Sequence, residues 1–189
     1  EGDSPQIDKV LCNFDKQNDI GLSDKCVEFD VMKELDSLTN EEREKILRVF
    51  TSMKKIQIEK DATLLITQHF FNLNIMSWDD QVRLYTMLVD YFGRGKLLIK
   101  THPADIMDYE NIFPDAIVIR ETIPIELLLY IFSDIPKTAI SVSSTATNTI
   151  EDKFENVIKF DFAFEKDFEH LHAYYMGLKL IQNSYPDIS

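Results

Sequence analysis

With five glycines in 189 residues, the sequence lacks the glycine-rich loops that hold phosphates in two large groups of nucleotide-binding proteins. Neither GxGxxG nor GxxxxGK[ST] occurs, although both bring backbone amides close to a phosphate in Rossmann dehydrogenases and P-loop enzymes. GxSxG, the nucleophile elbow of α/β-hydrolases, is also missing. These absences argue against all three enzyme classes.

Cysteine and long apolar runs are scarce as well. Cys12 and Cys26 form no CxxC pair, and no His/Cys cluster has the spacing of a zinc site. A disulfide across the intervening loop is one alternative, but we expect free thiols in a reducing cytosol. No run of about 18 apolar residues occurs, and the polar start of the chain, residues 1–9, does not resemble a signal peptide.

Positive charge is sparse and scattered. The chain has 20 Lys and Arg against 33 Asp and Glu, a formal net charge of -13, so it repels nucleic acid phosphates and anionic lipids. Its densest basic cluster, Lys54-Lys55 with Lys60, is too small to indicate a nucleic-acid site. We therefore expect no nucleic-acid partner, whereas a single nucleotide would need only a small local group of donors.

The residues that are present indicate a folded α/β domain. A hydrophobic content of 44% with 13 Phe and 7 Tyr allows a sizeable core and is unlike a disordered chain. From residue 39 onward, strand and helix patterns alternate, and the strands are mostly apolar, as when both faces of a sheet are covered. The predicted strands are 62–67, 96–100, 116–119, 137–142 and 156–160. The pattern predicts a doubly wound, mainly parallel Rossmann-like sheet with helices on both faces.

Capping signals place the helices between these strands. Thr39 with Glu42 and Ser77 with Asp80 each predict a helix start. Pro124 predicts another helix, ending near Ser133, and a long helix is expected at 166–183. Residues 9–14 and 25–29 could be short strands joined by a turn near Gly21. We treat 1–38 as an N-terminal segment and 39–189 as the main domain.

Candidate site residues follow the predicted strands, at the sheet edge where such folds bind ligands. His102 either donates to a phosphate or is a turn histidine bonded to a carbonyl. Ser143 and Ser144 either hold a phosphate at a helix start or serve as a plain N-cap. Glu126 either accepts from ribose hydroxyls or only complements a helix dipole. All of them fall at one predicted edge of the sheet.

These residues resemble motifs of bacterial sialyltransferases, in particular the lipo-oligosaccharide and polysialyltransferase groups. Lys100-Thr101-His102-Pro103 resembles the K-x-H-P motif, Pro124-Ile125-Glu126-Leu127 the P-x-E-L stretch, and Ser143-Ser144-Thr145 the later serine pair. Leu65-Ile66-Thr67-Gln68 resembles the strand and turn that open the donor half. The resemblance covers about residues 60–160.

The resemblance implies a GT-B glycosyltransferase, with two Rossmann-like halves facing across a cleft, of which 39–189 would bind CMP-sialic acid. Neither a metal nor another cofactor would be needed. His102 would contact the donor phosphate and assist the departure of CMP. The other implied contacts are Ser143 and Ser144 at the phosphate, Glu126 at the ribose hydroxyls, and Gln68 and Pro103 near the cytosine.

The family's catalytic base belongs to a D/E-D/E-G motif in the other half. The opening Glu1-Gly2-Asp3 is either the tail of that motif or a chance match, and 1–38 either ends the acceptor-binding half or is a linker. The chain alone is then expected to be inactive. The implied partners are a nucleotide-sugar donor and a lipo-oligosaccharide or capsule glycan acceptor. The implied location is cytoplasmic, with peripheral contact at the inner face of the membrane left open.

Two other functions remain open from the sequence. One is a GT-B transferase with a UDP- or CDP-linked donor. The other is a non-catalytic domain that has kept the nucleotide-binding fold.

Overall fold

The computed structural model describes residues 6–12, 25–52 and 54–160 and divides the chain into two compact units, Glu1–Val49 and Phe50–Ser189. Three expectations lie outside the described residues: the Glu1-Gly2-Asp3 motif, the turn near Gly21 and the helix at 166–183. No helix in the described part of the chain is both long enough and apolar enough to cross a bilayer.

The N-terminal unit contains two short strands, β1 (Val10–Cys12) and β2 (Cys26–Glu28), which pair in parallel. Cys26 is disulfide-bonded, so the expectation of free thiols was wrong. The parallel pairing sets the strand that contains Cys12 beside the strand that contains Cys26, and sequence spacing does not reveal that proximity.

Two helices follow, α1 (Val31–Ser37) and α2 (Asn40–Phe50). The start of α2 is the predicted capping box. The Thr39 amide donates to Glu42 Oε2 at 2.9 Å, and the Glu42 amide donates to Thr39 Oγ1 at 3.3 Å. Each side chain therefore satisfies a backbone donor that the first helical turn leaves unpaired.

The second unit is built on a five-stranded parallel sheet, which confirms the predicted fold class. Each strand agrees with its predicted range to within one residue at either end. The strands are β3 (Thr63–Ile66), β4 (Leu97–Lys100), β5 (Ile117–Ile119), β6 (Thr138–Val142) and β7 (Asn156–Phe160). Every residue of β3 and β6 is buried, as expected for central strands covered on both faces.

The α-helices in the described part of this unit are α3 (Trp78–Phe92), α4 (Tyr109–Ile112) and α5 (Ile125–Leu128). Ser77 caps α3 as predicted, because its Oγ accepts from the Asp80 amide at 3.1 Å. The apolar face of α3 packs into the core with Leu65, Ile99 and Ile140 of the sheet.

The helix expected to run from Pro124 to Ser133 is shorter than predicted. α5 continues only as a 3-10 turn over Leu129–Ile131. The chain then leaves the helix because Phe132 forms a parallel bridge with Ile56, and the Ser133 amide donates to the Ile56 carbonyl at 2.8 Å. A distant contact of this kind overrides local helix signals.

The strand order β5-β4-β3-β6-β7 determines where a ligand can bind. From β3 the chain winds outward through β4 and β5 on one side, and β6 and β7 occupy the other side. The winding direction therefore reverses between β3 and β6. A crevice opens beyond the carboxyl ends of the strands at such a switch point, and ligands of doubly wound sheets bind there.

The turn before β4 yields a test of this backbone. Gly95 has φ +59, and a Cβ placed there would lie 2.6 Å from the Asp61 carbonyl oxygen. A residue with a Cβ pays roughly 1–2 kcal/mol to adopt the left-handed conformation. Gly95→Ala should therefore lower the free energy of unfolding by at least that amount. Urea denaturation measures the change, with exposed Glu59→Ala as a control. An unchanged stability for Gly95→Ala would contradict this turn geometry.

Candidate functional site

A pocket of about 380 Å³ lies at the carboxyl edge of the sheet, within the size range of small-ligand sites. It brings together five of the six predicted site residues: Gln68, His102, Pro103, Glu126 and Ser144. Ser143, the sixth, is not part of the lining but immediately precedes Ser144. The rest of the lining is Ile66, Thr67, Lys100, Thr101, Ile123, Ile125, Thr145 and Ala146.

His102 occupies the turn after β4 and lines the pocket. Its Nδ1 accepts a hydrogen bond from the Ala104 amide at 3.1 Å. A nitrogen that accepts carries no proton, so the neutral ring holds its proton on Nε2, an assignment inferred from this contact. Burial lowers the pKa of His102. The neighbouring His69 and Lys100 lower this pKa further, whereas Asp105 raises it. The ring is therefore a neutral Nε2–H donor at neutral pH.

A buried carboxylate holds this turn in place. Asp105 Oδ2 accepts from Thr67 Oγ1 at 2.9 Å and from Tyr109 Oη at 2.7 Å, while Oδ1 accepts from the Met107 amide at 3.1 Å. Burial raises the pKa of Tyr109, which keeps its hydroxyl protonated and able to donate. Asp105 thereby connects the end of β3, the turn after β4 and the start of α4.

Gln81 on α3 extends this network to the turn after β3. Its Nε2 donates to the Gln68 carbonyl at 3.0 Å and to Tyr109 Oη at 3.1 Å, and its Oε1 accepts from the Phe71 amide at 2.7 Å. The Gln68 amide donates to Tyr85 Oη at 2.6 Å. Both backbone groups of Gln68 are therefore held by buried side chains, so the turn that lines the pocket is rigidly supported.

The serine pair forms a strained turn after β6. Ser143 has φ +45, an uncommon conformation for a residue other than glycine and one that recurs at functional sites. Its amide donates to the Phe160 carbonyl at 2.6 Å. This turn directs the following residue, Ser144, to the pocket wall.

Ser144 also has the predicted capping role, but the helix that it caps differs from the expected one. Its Oγ accepts from the Ala146 amide at 3.3 Å at the start of a 3-10 segment, Thr145–Thr149. The threonines and Asn148 of that segment are poor helix formers, which explains the short 3-10 turn. Capping uses one lone pair of the hydroxyl and leaves its proton for a ligand.

Glu126, in the first turn of α5, lies on another wall of the pocket. Its Oε1 accepts from Thr149 Oγ1 at 2.8 Å. This contact joins α5 to the segment after the serine pair and fixes one carboxylate oxygen. The arrangement is compatible with both roles considered from the sequence, because the carboxylate has further lone pairs for ligand hydroxyls.

Lys100 also lines the pocket, although its position in the sequence does not by itself indicate a role. It is buried, and its Nζ donates to the Thr101 carbonyl at 2.8 Å. Burial lowers the pKa of Lys100, while Glu121 opposes that shift. The sequence signal for Lys100 is a lysine at the end of an otherwise apolar strand. Once the strand is known to be buried, such a lysine indicates a specific role, because lysine is rarely buried unless it is paired.

The structure also places His69 against His102. The two rings are stacked, with centroids 3.9 Å apart and an interplanar angle of 20°. Their proximity follows from the sheet, since β3 and β4 are paired and each histidine lies in the turn that follows its strand.

In the described part of the chain, no group of three or more His, Cys, Asp or Glu residues could hold a metal ion.

Comparison with known proteins relates the chain to a family. The model of the family described as Glycosyltransferase family 52 matches residues 17–168, which is well over half of the chain. An uncharacterized protein of Haemophilus influenzae is 37% identical over 92 residues. That match covers 48% of this chain and 30% of the relative, so the chain aligns with less than a third of that protein's length.

The buried carboxylate yields a prediction for stability. Asp105→Asn preserves size but replaces an acceptor oxygen with an amide donor that faces other donors, so the free energy of unfolding should fall by about 2–3 kcal/mol. Asp108→Asn is the matched control, because Asp108 is an exposed helix cap and asparagine caps equally well. Urea denaturation compares the two variants, and equal stabilities would show that the network does not support the turn.

Proposed function

The chain belongs to glycosyltransferase family 52, and on that basis we propose that it forms the donor-binding part of a sialyltransferase that uses CMP-sialic acid. The single observation that carries the proposal is the convergence of His102, Glu126 and Ser144 on one pocket at the switch point of the sheet. These residues come from three successive βα connections and meet only in the folded chain.

The chemistry of the pocket suits a nucleoside monophosphate group. His102 offers a neutral Nε2–H and Ser144 offers a hydroxyl proton, which are two hydrogen-bond donors for phosphate oxygens. Lys100 adds positive charge to the same wall. In our proposal Ser143 supports the phosphate through the backbone turn that presents Ser144.

The remaining lining suits a nucleoside. Glu126 provides a carboxylate for the ribose hydroxyls, in the manner of acidic residues in dinucleotide folds. Ile66, Ile123 and Pro103 supply apolar surface, and the Gln68 and Pro103 turns would lie near the cytosine. Apolar walls with a few fixed polar groups are typical of small-ligand sites.

The reaction we propose is sialyl transfer with inversion. The oxygen of an acceptor hydroxyl attacks the anomeric carbon, the bond from that carbon to the phosphate oxygen breaks, and CMP leaves with the electron pair. His102 stabilises the charge that develops on the departing phosphate through Nε2–H, a contact that strengthens as the bond breaks. The acceptor proton would pass to a base in the acceptor-binding half.

The biological setting belongs to the same proposal. The acceptor would be a cell-surface glycan of the lipo-oligosaccharide or capsule type. We propose a cytoplasmic location, with peripheral contact at the inner face of the membrane; the disulfide at Cys26 would then be unusual for its compartment. Neither a metal nor another cofactor takes part in the proposed reaction.

Nucleotide binding by this chain tests the proposal. CMP should raise the melting temperature, and at a concentration about 100-fold above Kd the stabilisation amounts to about 2.7 kcal/mol. UDP and NAD should stabilise less at equal concentration. Stronger stabilisation by UDP would favour a UDP-linked donor, and the absence of any nucleotide effect would favour a non-catalytic domain; either result overturns the proposal.

The assignment of Glu126 is tested with the same assay extended to 2′-deoxy-CMP. Glu126→Gln should weaken CMP binding roughly tenfold, the effect of losing a hydrogen bond to a charged group, and should weaken 2′-deoxy-CMP binding less. Glu155→Gln is the matched control, since Glu155 pairs with Lys60 and Lys137 before β7 and does not line the pocket. Equal losses of affinity for CMP and 2′-deoxy-CMP would show that Glu126 does not bind the ribose 2′-hydroxyl.

A further inference from the structure

The stacked pair of His69 and His102 has a feature that the proposed contacts do not explain. Nδ1 of His69 is buried and has no hydrogen-bond partner among the described residues. Buried polar atoms are nearly always paired, and an exception calls for a reason. His69 does not line the pocket, and the site residue that it contacts is His102, through the stacked rings.

The face of the His69 ring lies against the face of the His102 ring. Rotation of an imidazole about its terminal side-chain torsion is broad and only weakly restricted by its own bonds. The Ala104 amide holds one edge of His102 at Nδ1, 3.1 Å away, and the His69 ring covers one face at a centroid distance of 3.9 Å. An edge contact and a face contact together restrict the ring far more than either would alone.

We infer that His69 is a positioning residue, which holds the His102 ring by stacking so that its Nε2–H is presented to the pocket. The inference rests on the proposed function, because His102 is the residue assigned to the donor phosphate. It assigns His69 no contact with the donor and no part in proton transfer.

The electrostatics around the pair agree with this role. The charged and titratable groups that act on His102 are His69, Lys100 and Asp105, and burial together with the first two lowers the pKa of His102. In the protonated ring both nitrogens would donate, so Nδ1 would oppose the Ala104 amide instead of accepting from it. The stack therefore favours the neutral form that the Ala104 contact requires.

Two matched variants isolate the aromatic face. His69→Phe keeps a flat ring, whereas His69→Leu has an apolar side chain without an aromatic face.

Two-bond proton–nitrogen NMR spectra of the imidazoles, assigned with His102→Gln, report both the tautomer and the pKa of His102 without any ligand. We expect His69→Phe to retain the Nε2–H tautomer and His69→Leu to show a mixture of tautomers. In both variants the pKa of His102 should rise, because a neighbouring ring that can become charged is gone.

Binding of CMP supplies the functional readout. His69→Leu should weaken CMP binding several-fold, and His69→Phe should bind within about twofold of the unmodified chain. His69→Ala replaces His69→Leu if the latter does not fold. The inference would be overturned if His69→Leu kept the wild-type tautomer of His102 and the wild-type CMP affinity. It would also be overturned if His69→Phe and His69→Leu changed the tautomer and weakened CMP binding equally. If the tautomer shifts as expected but CMP binds neither to the variants nor to the unmodified chain, the proposed donor is wrong while the positioning role of His69 stands.

Discussion

The carboxylate of Asp105 is the constraint on which the candidate site depends. It is buried, and it accepts hydrogen bonds from the end of β3, from the loop after β4 and from α4. Those contacts fix the two neighbouring turns that present Gln68 and His102. Because a buried charged acceptor is costly unless its partners are all in place, the network tolerates little displacement. The pocket therefore has a preorganised wall rather than a mobile loop.

Much of this arrangement could be predicted from the sequence. Apolar runs such as Leu64–Ile66 identify buried strands, because a strand covered on both faces needs apolar residues at every position. Caps such as Thr39 and Ser77 locate helix starts through local hydrogen bonds. Once the strands are parallel, their carboxyl ends must share one edge, and that rule places His102, Glu126 and Ser144 together without knowledge of any side-chain contact.

The remaining features depend on contacts between residues far apart in the chain. The central role of Asp105 is not evident locally, since an aspartate two residues after a proline is equally typical of an exposed turn. The stack of His69 on His102 requires the pairing of β3 with β4, and the early end of the helix after Pro124 requires the bridge between Ile56 and Phe132. Single-residue propensities carry no information about such pairs.

In the proposed function, the pocket at the switch point binds the phosphate and ribose of CMP. A crystal structure of the chain with CMP would show both groups. We expect a phosphate oxygen within about 2.7–3.2 Å of His102 Nε2, a second within reach of the Ser144 hydroxyl, and the ribose beside Glu126. A nucleotide bound elsewhere on the chain, or one in this pocket with its phosphate directed away from His102, would contradict the proposal.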